Sequence, residues 1–123
     1  MIVKCKKCDI SLTKNLVEFP DKSKLSEMDG EDYIPKGFYT ISEGDYYSNT
    51  EGKIIINKTD LINAQNHPDI SRLNGCCGLD GLDGINKICK NNHEIATEKT
   101  DCWIAHSTIF ETDLISISDI WSD

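Results

Sequence analysis

The chain lacks any apolar run approaching the roughly 18 residues that span a bilayer. Its opening, Met1-Ile2-Val3-Lys4-Cys5, lacks the hydrophobic core of a signal peptide. These absences argue against a membrane helix and a secretory route, so the expected compartment is the cytoplasm, where thiols stay reduced. Aromatic residues are sparse, at 7% of 123 residues, and the hydrophobic share is a modest 38%. A chain of this length still forms one domain and buries roughly two-thirds of its unfolded surface. Neither a repeat nor a low-complexity linker divides it, so residues 1–123 are read as a single domain.

Positive charge is also short: 13 Lys and Arg stand against 21 Asp and Glu, a net charge of −8. Six of the lysines fall in residues 1–24, whereas residues 25–52 carry seven acids against Lys36 and residues 94–123 carry seven against Lys99. Such a surface repels phosphate backbones, which argues against a nucleic acid partner and favours a basic protein. The same excess also keeps a small domain in solution.

Cysteine is what the chain has in quantity. Cys5-Lys6-Lys7-Cys8 stands near the start, and Cys76-Cys77, Cys89 and Cys102 follow nearly seventy residues later. In a reducing compartment six cysteines are better read as metal ligands than as disulfides, with redox use and unpaired buried thiols as the alternatives. A Cys-x2-Cys turn sets two thiolates about a tetrahedron edge apart, which suits Zn2+ with sulfur ligands at roughly 2.3 Å. The expected site joins this pair to the glycine- and cysteine-rich loop, taking one of Cys76 and Cys77 together with Cys89 or Cys102. All six cysteines are therefore candidate ligands, and structural zinc, worth roughly 10–16 kcal/mol in small peptides, is large beside a domain stability of about 5–15 kcal/mol.

His93 follows Cys89 as C-x3-H, a spacing found among zinc ligands, although a lone surface histidine is the commoner outcome. A second metal would need Cys89, His93, Cys102 and one further ligand. Residues 74–84 hold Gly75, Gly78, Gly81 and Gly84, which lets the loop wrap tightly or pass close to another backbone. Adjacent Cys76 and Cys77 point apart in extended chain, so one ligand and one buried thiol is the simpler division; a vicinal disulfide is strained. Asp80, Asp83 and Asn86 invite a calcium reading, but the EF-hand spacing fails at Leu82 and Asn91. Asp80 and Asp83 are expected to cap their own loop.

Strand signals fall over 2–4, 37–42, 53–57, 93–97, 103–105, 108–111 and 114–118, rich in β-branched and aromatic residues, with 37–42 and 53–57 forming an antiparallel hairpin. Ser23 is expected to cap a short helix over 24–29 that stops at Gly30, and Asn57 or Thr59 to cap another through Leu61, Ile62 and Ala64. The predicted class is small α+β, mostly antiparallel sheet with one or two short helices.

Catalytic patterns are weak. A thioredoxin-type Cys5-x-x-Cys8 needs a preceding strand and a following helix for which the chain has no room. His93-Glu94 begins neither the deaminase nor the H-E-x-x-H metalloprotease pattern. Asp101-Cys102-Trp103 followed by His106 is the best local candidate for thiol chemistry, with His67 and His93 as other bases; against it, Trp103 is expected in the core and Cys102 as a ligand or buried thiol.

The run Gly75-Cys76-Cys77-Gly78-x-Asp80-Gly81, with Gly84-x-Asn86, Cys89 and Glu94-x-x-Thr97-Glu98-x-x-Asp101-Cys102-Trp103, resembles a signature of small uncharacterised bacterial cysteine-rich proteins. The resemblance covers residues 74–103 and implies a bacterial, cytoplasmic, metal-stabilised domain without naming an activity. Two functions follow as expectations. The first is a non-catalytic, zinc-scaffolded binding module, of adaptor or immunity type, with an acidic interaction surface. The second is a small zinc- or thiol-dependent enzyme with a site near Cys76, Cys77, Cys102 and His106.

Overall fold

The computed structural model describes residues 1–118. Among these residues the chain is almost wholly β. Its strands are β1 (Ile2–Cys5), β2 (Val17–Glu18), β3 (Phe38–Ile41), β4 (Ile54–Ile56), β5 (Ala64–Asn66), β6 (Lys87–Cys89), β7 (Glu94–Lys99), β8 (Ser107–Phe110) and β9 (Ile115–Ser118). Seven of them form one sheet in the order β2-β3-β4-β8-β7-β6-β5, and β1 pairs with β9 in a separate ribbon. Every pairing is antiparallel except that of β2 with β3.

The central strands explain the core. In β4 three consecutive isoleucines are buried, which a strand allows only if both faces of its sheet are covered. Ile54 and Ile56 pack on one face with Val3, Leu12, Phe110 and Ile115, so the β1–β9 ribbon covers that side. Ile55 packs on the other with Tyr33, Ile34, Tyr47 and Ile109. Burial of each isoleucine stabilises the fold by roughly 1.5–3 kcal/mol. The second face is closed by loop rather than strand: the Tyr47 hydroxyl donates to the Ala105 carbonyl at 2.5 Å, and the Ala105 amide donates to the Tyr46 hydroxyl at 2.8 Å.

The α component is not present among the described residues. Helical structure there consists of single 3-10 turns at Lys22–Lys24, Lys58–Asp60, Ile70–Arg72 and Thr112–Leu114. The helix expected over 24–29 shrinks to a turn capped two residues earlier, by the Asp21 carboxylate accepting from the Ser23 amide. Asn57 caps as expected, but the chain leaves the turn at Leu61 and Asn63 takes a left-handed φ of 55°, so Ala64 begins β5 instead of extending a helix. Windows this short do not offset helix nucleation, and pairing with β6 prevails. The strand expected over 103–105 is a turn, and Trp103 is 47% exposed rather than in the core. No helix among the described residues is long and apolar enough to cross a membrane.

Candidate metal centre

Two tight turns meet at the edge of the first core face. The Cys5–Cys8 turn leaves β1 and folds straight back: the Asp9 amide donates to the Cys5 carbonyl at 2.8 Å and the Cys5 amide to the Ile10 carbonyl at 2.9 Å. Asp9 adopts a left-handed φ of 62°, which closes the turn. The second turn joins β6 to β7. There Lys90, Asn91 and Asn92 form a three-residue loop in which the Asn92 amide reaches the Cys89 carbonyl, Asn92 has φ 68°, and the Cys89 amide donates to the His93 carbonyl. This is a type I turn followed by one left-handed residue, a common hairpin closure.

Each turn contributes two ligand atoms. The Cys8 and Cys89 sulfurs are 3.8 Å apart, and His93 Nδ1 lies 3.5 Å from the Cys5 sulfur and 3.4 Å from that of Cys89. A Zn2+ held by sulfur at about 2.3 Å and nitrogen at about 2.0–2.1 Å requires tetrahedral edges of about 3.8 Å between sulfurs and about 3.5 Å between sulfur and nitrogen. The observed spacings fit that requirement. All four ligand atoms lie within 4.8 Å of one another, with Cys5 and Cys89 buried and Cys8 and His93 half-buried.

The surroundings distinguish the thiols. The Asn91 side-chain amide donates to the Cys8 sulfur at 3.3 Å, and this donation, with that of the Ile10 amide, pulls the Cys8 thiol down to about 6. Burial pushes the Cys5 thiol up. A cation at the centre would offset that burial penalty for the thiolate form.

The remaining cysteines gather elsewhere. Cys76, Cys77 and Cys102, all exposed, lie within 4.8 Å of one another by their sulfurs. The expected junction between the amino-terminal pair and the glycine- and cysteine-rich loop is therefore replaced: Cys5 and Cys8 meet Cys89 and His93, while Cys76 and Cys77 meet Cys102. Both neighbours in the Cys76-Cys77 step join the same group, in a bend that Gly75 and Gly78 permit by close backbone approach, Gly75 to the Gly78 carbonyl and Gly78 to that of Thr100. Sulfurs hold one another's protons there: Cys77 beside it pushes the Cys102 thiol up to about 12, and Cys77 also raises that of Cys76.

Asp101, which sequence reasoning left without a role, is the hub of this second group. Its carboxylate is buried and accepts the amides of Cys76, Cys77 and Cys102 at 2.8–2.9 Å and the Trp103 indole NH at 2.7 Å. These donors, the Cys77 and Cys76 amides first, hold its carboxyl well below the usual carboxylate range. His106 does not join the thiols. Its Nε2 lies 3.0 Å from the Asp101 carbonyl, and its Nδ1 faces the Lys58 ammonium at 3.1 Å. His67 pairs with Glu94 at 2.8 Å.

A small β protein with two separate thiol groups is thus the class that fold and site define. Compared with protein-family models, curated proteins and solved structures, the chain matches none.

Proposed function

We propose that the chain is a non-catalytic binding module whose β scaffold is clasped by one structural Zn2+ on Cys5, Cys8, Cys89 and His93. The observation that carries this reading is that three sulfurs and one imidazole nitrogen, drawn as two pairs from two tight turns, lie within 4.8 Å of one another, with the Cys8–Cys89, Cys5–His93 and Cys89–His93 edges at tetrahedral length. Four protein ligands fill the coordination of zinc and leave no position for substrate or water, which is the mark of a structural site. The soft donor set favours zinc over magnesium, calcium or manganese. A reducing cytoplasm keeps such thiols available to the metal.

The acids of residues 25–52 supply the recognition surface in this proposal. Glu27, Asp29, Glu31, Asp32, Glu43, Asp45 and Glu51 are all exposed. Asp32 pairs with Lys58 and Glu43 with Lys22, so the face keeps an acidic excess that a basic protein would complement.

Elemental analysis and thermal melting test the reading. The purified chain is expected to carry zinc, and a strong chelator or Cys5→Ser, Cys8→Ser or Cys89→Ser is expected to lower the melting temperature by at least about 10 °C, since several kcal/mol are lost in a domain of this size. Cys89 is as deeply buried as Cys5, so its replacement is expected to be as damaging. Equal melting with and without chelator would overturn the proposal.

A further inference from the structure

The three thiols outside the clasp sit on a frame built by backbone contact. A Cβ at Gly75 would stand 1.6 Å from the Gly78 carbonyl oxygen, and one at Gly78 would stand 2.2 Å from the Thr100 carbonyl oxygen. The loop is thus closed on itself at Gly75 and pressed against Thr100 at Gly78, at distances no side chain tolerates. Reciprocal bonds fix it there, with the Leu79 amide donating to the Thr100 hydroxyl and the Thr100 amide to the Leu79 carbonyl. The Asp101 carboxylate then ties down the amides of all three cysteines.

That carboxylate is itself excluded as a ligand. Oδ1 accepts the Cys77 and Cys102 amides, and Oδ2 accepts the Cys76 amide and the Trp103 indole. An ionised carboxylate offers about four acceptor sites, and all are engaged. The convergent set among the described residues is therefore three sulfurs, exposed on one side.

We propose that Cys76, Cys77 and Cys102 form a second cation site, open to solvent, that takes a thiophilic d10 ion. Three sulfurs complete a trigonal Cu+, or supply three of the four ligands of Zn2+ with the last drawn from solvent or from a bound molecule. On binding, each thiol releases its proton to water and its sulfur lends a lone pair to the ion, with no change of oxidation state. The Cys77 and Cys102 sulfurs, now 2.7 Å apart, open to the roughly 3.8 Å edge that a metal imposes. A disulfide would use only two of the three sulfurs and would need an oxidant to take two electrons. The inward-set clasp is closed, whereas this site can load and release its ion.

The test uses the full chain, reduced and kept from oxygen, loaded with one equivalent of Zn2+ and then given either a second equivalent or one equivalent of Cu+. A pulse of alkylating reagent is followed by cysteine-by-cysteine mass spectrometry. The second ion is expected to slow alkylation of Cys76, Cys77 and Cys102 together by tenfold or more, and a weak competing chelator to restore their reactivity before that of Cys5, Cys8 and Cys89. Protection by Cu+ alone marks the trigonal form, and protection by Zn2+ marks the tetrahedral one. A Cys76→Ser/Cys102→Ser variant is expected to bind one equivalent fewer while melting within about 2 °C of the parent, because both positions are exposed. Unchanged alkylation of the three cysteines with both ions, or a stoichiometric Cys77–Cys102 disulfide that forms in their presence, would overturn the proposal. Failure of the clasp would register separately, at Cys5, Cys8 and Cys89.

Discussion

Asn86 shows how much one buried amide holds. Its side chain donates to the Glu98 carbonyl at 2.9 Å and accepts the Glu98 amide at 2.6 Å, so it acts as an extra ladder rung where the β6–β7 register shifts beside Lys87 and Ile88. Asn86→Ala leaves those groups unpaired and is expected to lower stability by about 2–3 kcal/mol, read from urea denaturation. Tyr47 makes a second test at this scale. Burial pushes its hydroxyl above the ordinary range, and burial also raises Tyr33 to about 12. For groups whose folded value lies above the unfolded one near 10, the neutral form is favoured by folding; the stabilisation is full below about pH 10 and falls as pH rises toward the folded value. Melting temperature is therefore expected to drop between pH 10 and 12, and to drop less steeply in Tyr47→Phe. That variant should already be about 1 kcal/mol less stable at neutral pH through loss of the bond to Ala105. Nothing in the sequence showed what Asn86 and Asp101 hold, since Glu98 lies 12 positions from Asn86, and Cys77 and Cys76, whose amides Asp101 accepts, lie 24 and 25 positions from it.

Among the elements, legibility followed side-chain shape. Runs of β-branched and aromatic residues marked β3, β4, β8 and β9, because such residues suit a pleated, half-buried surface whatever their neighbours. Ala64-Gln65-Asn66 and Lys87-Ile88-Cys89 carry little of that signal. Those segments become strands through mutual pairing and through β7, a tertiary effect that no local window contains. Where helices were expected after Ser23 and Asn57 there are single turns, and a like turn follows Asp69: Asp21, Asn57 and Asp69 each accept the amide two residues on and the hydroxyl of that same Ser or Thr. These are Asx turns, and they satisfy the first amides without committing the chain to a helix. The ligand-bearing turns yield a further prediction. Asp9 holds a left-handed conformation that glycine adopts without steric penalty. Asp9→Gly is expected to leave metal content unchanged and to raise stability by about 0.5–1 kcal/mol in chelator-free denaturation.

At the scale of the whole molecule, contacts are predominantly long-range. Ile2 pairs with Ser118, Ile55 with Ile109, and the clasp brings Cys8 to Cys89 across 81 positions. Closing such loops precedes the gain from the contacts they permit, which places refolding in the millisecond-to-second range typical of β domains. Tyrosine fluorescence after dilution from denaturant is the check, and refolding of chelated protein is expected to be slower or incomplete. The candidate site was partly legible for the same reason that folding is slow. Cysteine spacing paired Cys5 with Cys8, and the C-x3-H interval was visible although a lone surface histidine was the commoner expectation for His93; the choice among distant partners is made by strand order. With β6 and β7 lying beside the β1 ribbon's core face, Cys89 and His93 come within reach of Cys5, while the Cys76-Cys77 loop is carried to residues 100–102.

The seven-stranded sheet ends in β2, two residues long, and in β5, three residues long. Strands so short offer a neighbouring copy almost no free backbone on which to continue the ladder. At high concentration, association by strand addition should accordingly not begin at either end of this sheet.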